Sequence, residues 1–323
     1  MAKVRIAIVG CGGIANAHAI AYHANQEQCE VVACADTVAT AAQTFGAKYG
    51  LQAFSDVAEM LETTRPDAIS ICTPPIGHLP VTRQAAERGI HILCEKPLAR
   101  NVAEVQEMIA VVKHQGILFM NGLCHRFHGP INQAKDLLAS GKLGRLNHFY
   151  NRFASRFEGV EKRWFVDPEV AGGGVLFDTA VHSLDIFRYV VGEVSTIHAQ
   201  MSTTLPIHSE DSAALLLRSV DGVSGDIACS WVTPPPEWII RLYGTEGIAE
   251  IDYSAEPNLR YRLAKGDWVS VDYTGPDRFT LEVRHFLECV QTGKAPSISV
   301  EEGARTIELI DAAYRSAGIS RTV

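Results

Sequence analysis

Short apolar runs alternate with helical segments through residues 4–120, and this rhythm constrains the fold more than any other feature. Residues 4–9, 30–35, 68–72, 90–94 and 117–120 read as strands. Between them lie helical stretches ending near Ala24, then at 38–49, 56–62, 79–88 and 102–114. Gly50, Gly89 and Gly116 follow three of these stretches as C-terminal caps, and Ser55 is the expected N-cap of the segment 56–62. Strands that are apolar along their whole length and joined by helices imply a parallel sheet covered on both faces.

After about Asn121 the rhythm changes. A helix at 131–139 leads to a segment, 145–156, in which Phe, Tyr and Arg interleave, and another helix runs to about Val191. Strands then follow without intervening helices, at 196–204, 212–220, 225–232, 239–243, 248–253 and 268–273, with Asp221-Gly222 as a hairpin turn. Two helices close the chain. The expected fold class is α/β: an N-terminal doubly wound parallel sheet over residues 1–121, then a C-terminal α/β domain with a large, mainly antiparallel open sheet over residues 122–323.

Composition excludes some partners. The net charge of -8 comes without the clustered Lys and Arg that a nucleic-acid backbone requires. No apolar stretch approaches the ~20 residues of a membrane span, and the first residues show no signal-peptide pattern. The eight cysteines are scattered, several inside apolar runs, as expected of reduced buried thiols in a cytoplasmic protein.

Gly10-Cys11-Gly12-Gly13-Ile14-Ala15 directly follows the first strand and opens a helix, fitting G-x-G-x-x-A. The first glycine makes a tight turn, the second lets a pyrophosphate approach the backbone, and Ala15 allows close helix–strand packing. N–H groups at the helix start bind the anion. Asp36 ends the second strand, 21 residues after Ala15, where a ribose-binding carboxylate belongs. A carboxylate there accepts hydrogen bonds from the 2′-hydroxyl and repels a 2′-phosphate, and Thr37 and Val38 supply no arginine. NAD is therefore expected, NADP less so.

Two further segments carry chemistry. The run 90–94 ends abruptly in Glu95-Lys96-Pro97, at the strand exit where open α/β sheets bind ligands. Pro97 restricts the backbone of Lys96, so the ammonium keeps one direction and can face a developing alkoxide or move a proton. Taken alone, the segment reads more readily as a charged pair at a strand end. In Gly172-Gly173-Gly174…Asp178…His182, the aspartate and histidine stand four apart and share one helix face. A carboxylate can orient an imidazole that titrates near neutrality, and Asp185 is placed to hold His182 from the other side. His125-Arg126-Phe127-His128 has a ligand-like spacing but no evident third ligand, so no metal is expected. Trp231 and Trp238 flank Pro234-Pro235-Pro236, where they are expected to shape a strand end or a subunit contact.

In this order these motifs, with Cys72-Thr73-Pro74-Pro75…His78 and Tyr243-Gly244-Thr245-Glu246-Gly247, resemble the Gfo/Idh/MocA family of nicotinamide-dependent oxidoreductases along the whole chain. The resemblance implies a Rossmann domain, a second domain with a large antiparallel sheet, and a substrate site in the cleft between them. It places Gly10, Gly12, Gly13, Ile14, Asp36, Cys72, Thr73, Pro74, His78, Glu95 and Lys96 along the cofactor. It makes Lys96, Asp178 and His182 the catalytic set, in contact with the substrate; Arg126 and Trp164 are further expected substrate contacts, though Trp164 reads equally as a core tryptophan. Many members have glycine two residues after the aspartate, where this chain has Ala180.

The expected reaction interconverts a secondary alcohol and a ketone on a sugar, sugar derivative or cyclic polyol, with homodimers or homotetramers formed through the C-terminal sheet. NAD-dependent glycoside cleavage by transient oxidation and a non-catalytic NAD-binding regulator are the alternatives. Arg152, Arg156 and Arg163 are further candidates to line the substrate cleft.

Overall fold

The computed structural model describes residues 2–319; Met1 and residues 320–323, the outer ends of the two expected domains, lie outside the described residues. The chain divides into two compact units, one of Met1–Cys124 with Pro276–Ile307 and the other of His125–Gly275 with Glu308–Val323. A single cut at 121/122 misses the return of residues 276–307 to the first unit. That return is carried by two amphipathic helices whose apolar stripes are legible, while the surface they cover is not.

In the first unit β1 (Val4–Val9), α1 (Gly13–Ala24), β2 (Cys29–Ala35), α2 (Ala39–Tyr49), β3 (Gln52–Phe54), α3 (Val57–Thr64), β4 (Ala68–Ile71), α4 (His78–Ala86), β5 (His91–Glu95), α5 (Val102–Gln115) and β6 (Phe119–Gly122) alternate as the apolar rhythm requires. The six strands are all parallel, in the order β3-β2-β1-β4-β5-β6. Ile6, Ile8, Ile69, Ile71, Ile92 and Leu93 are fully buried in this sheet. The strand order reverses between β1 and β4, which opens a crevice at the carboxyl ends of these strands.

Two local readings change and one holds. The cap of α3 is Asp56, whose side chain accepts the Glu59 N–H, rather than Ser55. The three-residue strand β3 is too short for its period to show. Gly50 and Gly116 are left-handed caps as expected, with φ of 70° and 64°.

The second unit holds α6 (Gly129–Ala139), β7 (Leu146–Arg156), α7 (Pro168–Ala171), α8 (Val181–Val190), β8 (Val194–Ser202), β9 (Ser212–Ser219), β10 (Ser224–Ser230), β11 (Val232–Gly244), β12 (Gly247–Asp252), β13 (Leu259–Leu263) and β14 (Val269–Val271). Two further helices, α9 (Arg278–Thr292) and α10 (Val300–Ser316), follow; α9 belongs to the first unit, and the division falls within α10. The sheet order is β14-β13-β12-β11-β7-β10-β9-β8, antiparallel throughout except where β10 runs parallel to β7. The Phe/Tyr/Arg segment is thus a central strand, β7. The strand expected at 239–243 begins at Val232 and runs through the prolines, with a register shift between Val232 and Glu237. Along β9 burial alternates, so Leu215 and Leu217 point into the core while Leu216 points out.

Helix α8 covers the inner face of this sheet. Phe187 on α8 meets Phe149 on β7 edge-on, with ring centroids 5.3 Å apart and planes at 88°. A Cβ on Gly225 of β10 would fall 2.6 Å from the Phe187 ring, so glycine there is what lets the ring approach the strand. Phe149 is fully buried, and Phe149→Ala removes an aromatic pair and leaves a cavity. The expected loss is about 3–5 kcal/mol of this unit's unfolding free energy, read by denaturant titration. A loss below about 1 kcal/mol would contradict the packing described.

Candidate active site

The first unit builds a cofactor cradle from the turn after β1. Gly10 has φ +88°, and a Cβ on it would lie 2.7 Å from the Cys72 carbonyl group and 2.8 Å from the Thr73 nitrogen. The turn therefore presses against the backbone at the carboxyl end of β4, and only glycine allows it. Helix α1 starts at Gly13 with no side-chain cap, and a Cβ on Gly12 or Gly13 would meet nothing within 4 Å. Uncapped N–H groups under open space suit a pyrophosphate. Ile14 is half-buried in the first turn of α1.

Asp36, just beyond β2, closes this cradle. One carboxylate oxygen accepts the Cys11 N–H at 2.8 Å and the other accepts the Val38 N–H at 2.8 Å. Each oxygen keeps a second lone pair for a ribose hydroxyl. The residues present fit a dinucleotide.

His78 and Glu95 each make hydrogen bonds within the protein. Both were expected along the cofactor, and both are buried. The ring nitrogens of His78 face the Leu98 and Thr73 carbonyl oxygens at 3.1 and 3.0 Å, so His78 staples the 73–75 loop to the segment after β5. Burial pushes its pKa below the usual histidine value of 6.5, opposed by those two carbonyls. Glu95 accepts from His18 through one oxygen (2.9 Å) and from the Lys96 backbone N–H through the other (3.0 Å). It therefore holds the backbone of the lysine. Lys96 itself is half-buried at the end of β5, before a cis bond to Pro97. Cys72, Thr73 and Pro74 form the wall against which Gly10 turns; Cys72 is buried, and its N–H donates to Val9 at 2.7 Å.

The second unit places Asp178 and His182 around a helix irregularity. Leu176–Ala180 is a π-helical turn that runs into α8. Such turns widen the helix and recur at functional sites; a plain helix was expected here. Asp178 and His182 are both half-buried. Asp178 accepts from the Trp231 indole N–H at 3.2 Å and from the Thr179 hydroxyl at 3.2 Å. Trp231, expected to shape a strand end, thus anchors the aspartate. His182 packs its ring 4.5 Å from that of His125, whose Nδ1 meets the Tyr253 hydroxyl at 2.6 Å.

Of the three glycines before this turn, Gly172 caps α7, Gly173 lies against Tyr314 and Phe177, and Gly174 meets Glu210. A Cβ on Gly174 would overlap the Glu210 carbonyl oxygen, and the Glu210 carboxylate accepts the Gly174 and Leu176 N–H groups at 3.0 Å each. Burial raises the Glu210 pKa, and those backbone donors oppose the rise. No sequence signal within the glycine motif points to residue 210, which arrives from the far side of the fold.

Arg126 was expected at the substrate. Its guanidinium grips the buried carboxylate of Asp185 bidentately, at 3.0 and 2.6 Å to Oδ1, which makes it a support of α8. Asp185, expected beside His182, is the partner in that pair. Trp164 is exposed, stacked on Phe165 at 3.9 Å, and is not a core residue. Arg152 pairs with Glu237 at 2.6 Å, while Arg156, paired with Glu158, and Arg163 are exposed.

Two family models match the chain, an oxidoreductase family with an NAD-binding Rossmann fold over residues 4–123 and the Gfo/Idh/MocA C-terminal domain over residues 131–250. The chain belongs to the Gfo/Idh/MocA family. As a member it is an NAD-dependent oxidoreductase, and its first unit is the family's Rossmann domain. Among its relatives, the D-apiose dehydrogenase of Paraburkholderia graminis is 27% identical, over 98% of this chain and 88% of that one. The scyllo-inositol 2-dehydrogenase (NAD(+)) of Bacillus subtilis is 28% identical, over 97% of this chain and 94% of that one. A levoglucosan dehydrogenase solved in complex with NADH shares the fold at a TM-score of 0.92, with 23% identity over 98% of this chain and 97% of that one. No helix among the described residues is long and apolar enough to cross a membrane.

His78 gives the site a pH signature. Its folded pKa lies below 6.5, so the unfolded chain binds a proton the native loop refuses. The stability this contributes is present above about pH 6.5 and is lost as pH falls below it. The melting temperature of the wild type should therefore fall towards that of His78→Gln between about pH 7.5 and about pH 5. A gap that stays constant over this range would contradict the neutral, buried ring.

Proposed function

We propose that this oxidoreductase interconverts a secondary alcohol and a ketone on a sugar, sugar derivative or cyclic polyol. The observation that carries the reading is the anchoring of Lys96. Its backbone N–H is tied to a buried glutamate at the carboxyl end of β5, in the same sheet whose first turn forms the dinucleotide cradle. The polyhydroxylated substrate class is supported by the relatives named above and by the exposed indole of Trp164, which can stack on a sugar ring.

Bound NAD supplies the hydride acceptor or donor. In the oxidative direction His182 takes the hydroxyl proton as the carbon loses its hydride. The Lys96 ammonium stabilises the negative charge that develops on that oxygen. Asp178, held by Trp231 and Thr179, orients the substrate and His182. Asp36 selects NAD over NADP, because its two oxygens lie where a 2′-phosphate would meet a carboxylate.

Self-association as a homodimer or homotetramer through the eight-stranded sheet belongs to the same proposal. Leu216 is 63% exposed on its outer face, and Val269 is exposed on its edge strand. A cytoplasmic location accords with eight cysteines that are all free.

Lys96→Ala and His182→Ala should each lower kcat by roughly a hundredfold or more while the Kd for NAD stays within a few-fold, by steady-state kinetics on a polyol panel and fluorescence titration. Near wild-type turnover in either variant would overturn its assigned role. Asp36→Ala should weaken NADH binding by roughly tenfold or more and narrow the preference over NADPH. Tighter binding of NADPH than NADH by the wild type would refute the role given to Asp36.

A further inference from the structure

Beneath Lys96 lies a buried cluster that, apart from the hold of Glu95 on the Lys96 backbone, has no part in the proposed reaction. His18 on α1, Glu95 at the end of β5 and Glu282 on α9 are all buried, His18 and Glu282 completely. One ligand atom from each lies within 4.8 Å of the other two. Two hydrogen bonds pin α9 to α1 and set Glu282 against His18. They run from the Asn25 side chain to the Thr280 carbonyl (3.1 Å) and from Arg284 Nε to Asn25 Oδ1 (3.1 Å).

The polar accounting is incomplete in one place. Glu95 is satisfied by His18 and by the Lys96 N–H. The other ring nitrogen of His18, Nδ1, meets the Ser70 hydroxyl at 3.0 Å, and Ser70 in turn meets the Tyr22 hydroxyl at 2.7 Å. Both carboxyl oxygens of Glu282 are buried with no hydrogen-bond partner.

We propose that His18 Nε2, Glu95 Oε1 and a carboxyl oxygen of Glu282 bind a divalent transition-metal cation, zinc by preference. Two buried carboxylates need two positive charges. One divalent ion beside a neutral imidazole supplies them, and so do two protons, one on the imidazole and one on Glu282. Protons leave Glu282 with an O–H and a C=O that find no partner, each costing roughly 1–3 kcal/mol. A cation satisfies Glu282 directly.

One nitrogen and two carboxylate oxygens suit zinc. The surroundings have the form of a metal's outer shell. Ser70 Oγ lies 3.0 Å from Nδ1 and can accept from it, so that an ion displacing the Nε2 proton from between His18 and Glu95 would meet the Nε2 lone pair, and the Lys96 N–H occupies the Glu95 oxygen that the ion does not need. Burial and Glu95 push the Glu282 carboxyl well above the usual range, while Arg278, one turn earlier, favours its ionised form. The ion would join the helix after the glycine turn, the strand end that carries Lys96, and α9.

The test is metal analysis of the full chain, stripped with a strong chelator and then reloaded with zinc. The account expects about one zinc per chain. It expects a melting temperature lowered by stripping and restored by zinc, and neither response in Glu282→Gln. A stripped wild type that takes up no zinc and melts unchanged means that protons and water fill the cluster, and overturns the proposal. Should Glu282→Gln fail to fold, X-ray absorption on the zinc-loaded wild type decides. A shell of nitrogen and oxygen at about 2.0–2.2 Å, including one imidazole, supports the site, and its absence refutes it.

Discussion

Much of the first unit depends on the close approach of Gly10 to the backbone of Cys72 and Thr73. The 2.7 Å that a Cβ would have to the Cys72 carbonyl leaves no room for any side chain, and φ +88° disfavours one independently. Because the turn is this tight, α1 begins directly above the carboxyl end of β4, with Gly12 and Gly13 exposed and the first N–H groups uncapped. The same tightness brings the Cys11 N–H to Asp36, so the turn proposed to meet the phosphates is tied to the carboxylate proposed to meet the ribose. Further along α1, the helix delivers His18 to Glu95, which holds the backbone of Lys96. A steric constraint at one residue therefore sets both the cofactor site and the support of the proposed catalytic lysine.

Features encoded over short distances were legible. The glycine turn, Asp36, the left-handed caps at Gly50 and Gly116, and the Asp221-Gly222 turn with Gly222 at φ +87° each follow from a few adjacent residues. Features that depend on which side chains meet across the fold were not. The resemblance put His78 and Glu95 along the cofactor, but the motifs that carry it do not show that His78 staples one loop and Glu95 anchors one backbone. Glu210 and Glu282 approach the glycine cluster and the His18–Glu95 pair from more than thirty residues away, and nothing in their local sequence marks them. The π-helical turn at 176–180 is likewise invisible to an i,i+4 reading, because the extra residue in the turn changes no residue type.

Electrostatics divides the two units' proposed chemistry in an instructive way. In the first, Lys96 is a charge whose backbone is fixed by a buried acid. In the second, Asp178 is an acid whose direction is fixed by neutral donors, Trp231 and Thr179. Stabilising a developing alkoxide and orienting an imidazole are two polar tasks in alcohol oxidation, and the proposed function gives the first to Lys96 and the second to Asp178. The most direct measurement is a crystal structure of the ternary complex with NAD and a polyol that the enzyme turns over. The account predicts the Lys96 ammonium and an imidazole nitrogen of His182 within about 3.2 Å of one hydroxyl oxygen, on the carbon facing the nicotinamide. A complex in which the two groups stand on separate surfaces, or in which neither reaches that oxygen, would contradict it.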